Sequence, residues 1–137
     1  MGESQAHLEL VQRLVEFAAW RLSSYRAVAV FSDLPPTPRR DKPPRIGGFR
    51  PDVFATDVPT TIQLVGEAKT PADLEQQHTL LQLAAFLSHL RIRGGILVIA
   101  VPWAMRTVAQ RLVQDTAMAV GATGVEFLII DDISPWH

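Results

Sequence analysis

Apolar residues recur along the chain with two different periods, and the change of period marks the elements. Leu8, Val11, Val15, Ala18 and Leu22 are spaced alternately by three and four, with Leu10, Leu14 and Phe17 widening the stripe. That spacing is one face of a helix and predicts a helix over 4–24. Glu9, Gln12, Arg13 and Glu16 fall on its polar side. AVAVF at 27–31 predicts a short strand. Two further strands are expected at Asp52–Ala55 and Ile62–Lys69, joined by a turn near Asp57–Pro59. In the second of these, Ile62, Leu64 and Gly66 alternate with Gln63, Val65 and Glu67, the period of a strand. Thr70-Pro71-Ala72-Asp73 reads as a helix start, with a capping residue, a proline suited to the first turn and a capping-box-like acid. That helix should run to about Leu90. ILVIAV after Gly94-Gly95 is a continuous apolar run expected of a strand buried on both faces. A helix over 103–120 follows, with Val108, Leu112 and Val113 on its apolar face, and VEFLII at 125–130 is a last strand. The order α-β-β-β-α-β-α-β predicts an α/β fold, a central mixed sheet flanked by helices.

Composition narrows the setting. A chain of 137 residues, 47% hydrophobic and 20% charged, suggests one globular domain over 1–137. The absence of cysteine excludes disulfides and thiolate zinc sites and fits a reducing cytoplasm, the expected compartment. The opening MGESQAHLEL is acidic and amphipathic, unlike a signal peptide, and ILVIAVPW is too short to span a bilayer, so no membrane association is expected. A net charge of −1 argues against a uniformly basic nucleic-acid binder. The basic charge is instead local. Residues 33–50 hold five of the ten prolines and read as a loop, and between Pro35 and Arg50 the basic residues Arg39, Arg40, Lys42, Arg45 and Arg50 stand against the single acid Asp41. Such a segment suits contact with a phosphate backbone.

The candidate chemistry lies just beyond that loop. Asp52 starts one strand, and Glu67 and Lys69 share a face at the end of the next. Two carboxylates at the ends of adjacent strands make a natural Mg²⁺ site, because Mg²⁺ takes one or two carboxylates and completes its shell with water and phosphate oxygens. A lysine on the same face can orient or deprotonate a water, or neutralise a phosphate. This combination suits hydrolysis of a phosphodiester.

Pro51-Asp52, fourteen intervening residues and then Glu67-Ala68-Lys69 resembles the signature of the PD-(D/E)xK, or restriction-endonuclease-like, nuclease superfamily. The α-β-β-β-α-β order around it resembles that superfamily's core. The resemblance implies that Asp52 and Glu67 hold Mg²⁺, with Mn²⁺ as the usual substitute, and that Lys69 serves the attacking water. Gln82-Leu83-Ala84-Ala85-Phe86 resembles the Gln-x-x-x-Tyr motif of the RecB-like exonuclease branch, with Phe86 in place of tyrosine. There the glutamine supports the active site or the nucleic-acid backbone, which implies that role for Gln82. Some members supply another acidic metal ligand from the first helix, and Glu16 is a better match for it than Glu9. His78 falls on the apolar side of its helix and is expected in the core. His78 and His89 form no recognisable metal spacing with acids, and His7 and His137, near the termini, are uninformative.

The function expected is Mg²⁺-dependent cleavage of nucleic acid, DNA rather than RNA. The alternative is a subunit with a nuclease-like fold that binds nucleic acid or protein without cutting. The expected assembly is a homodimer or larger nuclease complex, formed through the helix at Trp103–Val120 or the tail around Trp136.

Overall fold

The computed structural model describes residues 4–34 and 42–136. Its elements follow the expected order: α1 (Gln5–Arg21), β1 (Val28–Ser32), β2 (Val53–Asp57), β3 (Gln63–Ala68), α2 (Gln77–Arg93), β4 (Gly95–Val101), α3 (Arg106–Ala119) and β5 (Glu126–Asp131). The strands lie side by side in chain order in one sheet. β1, β2 and β3 are antiparallel neighbours, and β4 and β5 then run parallel to β3. The result is an α/β fold with a five-stranded mixed sheet and helices on both faces.

The strand period divides the core in two. Ala55, Leu64, Ala68, Val98 and Ala100 meet Leu10, Val11, Leu14, Phe17 and Ala18 of α1 on one face. Phe54, Val65, Leu97 and Ile99 meet Leu83, Phe86, Leu87 and Leu90 of α2, and Val113 of α3, on the other. By the same alternation Glu67 and Lys69 share the side of Val65 and face α2. α1 is capped by Ser4, whose hydroxyl accepts from the backbone N–H of His7 at 3.1 Å.

Two helix boundaries differ from expectation. Asp73 does reach back to Thr70, accepting from its N–H at 2.9 Å and its hydroxyl at 2.8 Å. That contact closes only a short 3-10 turn at Asp73–Glu75, and Gln76 is extended (φ −92°, ψ 141°), so α2 starts at Gln77. α2 runs on to Arg93, where Gly94 at φ 82° ends it. In α3 the buried residues are Ala109, Val113, Thr116 and Ala117, while Val108 is 49% exposed. Val108 and Val113 lie about 140° apart around a helix, so a helix seated on one face cannot bury both.

The proline-rich segment is anchored at its far end. Ile46-Gly47-Gly48-Phe49 form a tight turn closed by paired backbone hydrogen bonds of 2.6 and 3.0 Å. Both central residues have positive φ, 58° and 86°, as a primed hairpin turn requires. Ile46 is buried in the α2 side of the core. A Cβ on Gly47 would lie 2.8 Å from the Ala85 Cβ on α2, whereas one on Gly48 would meet nothing within 4 Å. Gly47→Ala is therefore expected to cost about 1–3 kcal/mol through steric clash added to backbone strain, and Gly48→Ala about 1 kcal/mol through strain alone. Thermal unfolding of both variants checks this; equal losses would mean that the turn does not press on α2. Arg39 and Arg40 lie outside the described residues. Among those described, no helix is long and apolar enough to cross a membrane.

Candidate active site

The pairing of Val53 with Gly66, continued by one residue, sets Asp52 opposite Glu67 at the ends of β2 and β3. Each carboxylate is fixed by the other strand. The N–H of Asp52 donates to Glu67 Oε1 at 2.9 Å, and the N–H of Ala68 donates to Asp52 Oδ2, also at 2.9 Å. This reciprocal clamp leaves one oxygen of each carboxylate, Asp52 Oδ1 and Glu67 Oε2, outside the backbone bonds. Lys69 Nζ lies 3.0 Å from Glu67 Oε2 and also donates to Oε1 of Gln82 on α2. The Lys69 backbone N–H donates to the carbonyl of Ala100 at 2.9 Å, which ties this end of β3 to β4. Asp52, Glu67, Lys69 and Gln82 are all buried, and they line a cleft of about 380 Å³ with His7, Arg50 and His78.

Burial raises the Glu67 carboxyl to about 8, assisted by the negative charge of Asp52 and opposed by Lys69. Asp73 at the cleft edge behaves oppositely. Burial pushes it up, but hydrogen bonds from Thr70 and the positive charges of Lys69 and His7 outweigh this and hold it below the usual range. Because the folded Glu67 value lies above its ordinary 4.5, the protonated carboxyl favours folding. That contribution is complete below about pH 4.5 and is lost as pH rises through about 8. In EDTA, the melting temperature of wild type relative to Glu67→Gln should therefore fall between about pH 5 and 8.5, by an amount equivalent to a few kcal/mol. A pH-independent difference would show that Glu67 is ionised throughout.

A divalent cation fits this donor set. Two carboxylates stand side by side, and the charge of Asp52 still raises Glu67 although Lys69 opposes it, so a cation shared by both would relieve their repulsion. Among the described residues no group of three or more His, Asp and Glu side chains is arranged to enclose a metal. Asp52 and Glu67 are the residues that would hold such a cation, and Mg²⁺ takes one or two carboxylates and completes its shell with water and phosphate oxygens.

The structure does not gather every residue proposed from sequence. Glu16 is exposed and accepts from Gln12 Nε2 at 3.2 Å. It stands nine residues beyond His7, about 13 Å along the helix axis, and takes no part in the cleft. Glu9 is also exposed. The α1 residue that reaches the site is His7, whose Nε2 is 3.5 Å from Asp52 Oδ1. The only sequence signal for this was Ser4, whose capping places His7 in the first turn. His78, expected in the core, is exposed at the start of α2, with its ring edge-on to Phe49 at 5.3 Å. Within α2 it lies about 100° around the helix from buried Thr79, to one side of the stripe that faces the core. His89 is remote from the carboxylates and bonds to Gln63 Oε1 at 2.6 Å.

Of the described basic residues between 42 and 50, Arg50 lines the cleft. Lys42 is paired with Asp33 at 2.7 Å, and exposed Arg45 donates to the carbonyl of Gly48 at 3.2 Å. A larger hollow, about 540 Å³, lies between α1 and β5 and is mainly apolar, with Phe17, Trp20 and Trp136 in its walls. It has no carboxylate pair, and its one acid, Asp131, is held by Arg106 at 2.8 Å. Chemistry therefore favours the smaller cleft. Trp136 is not a free apolar end: it packs on Phe17 at 5.8 Å under the Arg13 guanidinium, 4.3 Å from its ring.

Comparison of the chain with protein-family models, curated proteins and solved structures finds no match.

Proposed function

We propose that this chain is a Mg²⁺-dependent nuclease of the PD-(D/E)xK, restriction-endonuclease-like superfamily, hydrolysing phosphodiester bonds in nucleic acid, DNA rather than RNA. The observation that carries this reading is the convergence of Asp52, Glu67 and Lys69, with Gln82 from α2, in one buried cluster open to a cleft. The antiparallel β1–β2–β3 meander, the crossover through α2 and the parallel β4 support the same assignment.

Asp52 and Glu67 would hold the cation. When bound, Mg²⁺ supplies a more acidic water and stabilises negative charge on the reacting phosphate. Lys69, fixed by Glu67 and Gln82, would orient the attacking water or, when neutral, take its proton. Arg50 offers a guanidinium to a phosphate entering the cleft. Phe86 fits the motif's place on α2 without its hydroxyl, because the ring is fully buried among apolar residues. The support from α2 comes through Gln82.

The test is cleavage of plasmid and of single- and double-stranded oligonucleotides with Mg²⁺, Mn²⁺ or EDTA. Cleavage with either metal and none in EDTA is expected. Binding without cleavage under every metal condition would favour the non-catalytic subunit instead, and equal cleavage of RNA would overturn the preference for DNA.

A further inference from the structure

α3 carries an unusual outer face. Val108 and Met118 are 49% and 70% exposed, Leu112 is half-buried between them, and Arg111 and Asp115 share their side of the helix. At 100° per residue these five positions fall within about 120° of arc, opposite the buried residues of α3. A shallow groove of about 360 Å³ runs among Val108, Arg111, Leu112 and Asp115. Neither Arg111 nor Asp115 forms an ion pair with another described residue.

We propose that this face binds a second copy of the chain, α3 packing antiparallel on α3 about a two-fold axis level with Val113. That axis sets Arg111 beside the second copy's Asp115. By symmetry it also sets Asp115 beside the second copy's Arg111. The same register places Val108 against the second copy's Met118, whose flexible thioether chain can fill the groove. Leu112 lies next to the axis and contributes from both copies. A parallel arrangement in register would oppose Arg111 to Arg111 and Asp115 to Asp115, so the charges select the antiparallel one. An unrelated partner would have to bring a matching pair of charges, which the chain's own α3 already carries. None of these residues lines the carboxylate cleft, and the inference stands apart from the nuclease reading.

Sedimentation equilibrium of the full chain from about 10 to 300 µM is the test, since one helix pair makes a small interface and a concentration-dependent dimer. Wild type should approach twice the 15.1 kDa of one chain. Arg111→Asp and Asp115→Arg should each weaken association roughly tenfold or more, because symmetry turns each change into two like-charge contacts. The double variant Arg111→Asp/Asp115→Arg should restore it. All these positions are exposed, so the fold tolerates the changes, and circular dichroism verifies this. A monomer throughout the range overturns the proposal. A dimer indifferent to the single reversals, or one that the double variant fails to restore, also overturns it, because the copies then meet through another surface or in another register.

Discussion

Asp52→Asn should lower Mg²⁺-dependent cleavage by about 10³-fold or more, since it halves the negative charge available to the cation. Asparagine preserves shape, and its side-chain carbonyl can still accept from the N–H of Ala68, as Asp52 Oδ2 does at 2.9 Å. The fold should therefore persist. Stability without metal should even rise at alkaline pH, because the Asp52 charge is one of the causes that raise Glu67 to about 8. Glu67→Gln should abolish cleavage in the same way. Three measurements decide the matter together: cleavage rate, calorimetric Mg²⁺ binding and the melting temperature in EDTA. Loss of cleavage and metal binding with an intact or stabilised fold is the expected pattern. Wild-type cleavage by Asp52→Asn, or cleavage by the wild type in EDTA, would end the proposed mechanism.

Lys69→Ala should cost about 10²–10⁴-fold in rate, the range for a positioned group that moves or orients a proton. The side chain has little freedom: it is buried, paired with Glu67 at 3.0 Å and bonded to Gln82. Both carboxylates remain in the variant, so Mg²⁺ should still bind, and the loss should appear in kcat rather than KM. Gln82→Ala removes one of two supports for Lys69 and should cost less, about tenfold. Its signature as a positioning residue is a changed pH–rate profile without loss of metal binding. Single-turnover cleavage between about pH 6 and 9 separates these effects. A wild-type rate in Lys69→Ala would remove the lysine from the chemistry, even if metal dependence were confirmed.

The periodicities of the chain determined the element order and the two-faced burial of the sheet, because strand alternation and helical spacing are local properties. They also placed Glu67 and Lys69 on one side of β3, since residues two apart on a strand must share a face. That Asp52 meets Glu67 was legible only as a spacing. The contact itself depends on the antiparallel register of β2 and β3, which is set by burial on both faces and by the turn after Asp57. Residues far apart in sequence were decided by tertiary packing alone. His7 reaches Asp52 because α1 lies across the sheet with its start at the strand ends, and Glu16 is carried away by the same rigid helix. Arg50 enters the cleft because the Gly47–Gly48 turn is docked on Ala85, while the nearby Lys42 is taken by Asp33. Trp136 was unreadable for the same reason: its partners Arg13 and Phe17 are at the other end of the chain. Local pattern determines which residues can face one another, and the packing of whole elements determines which of them do.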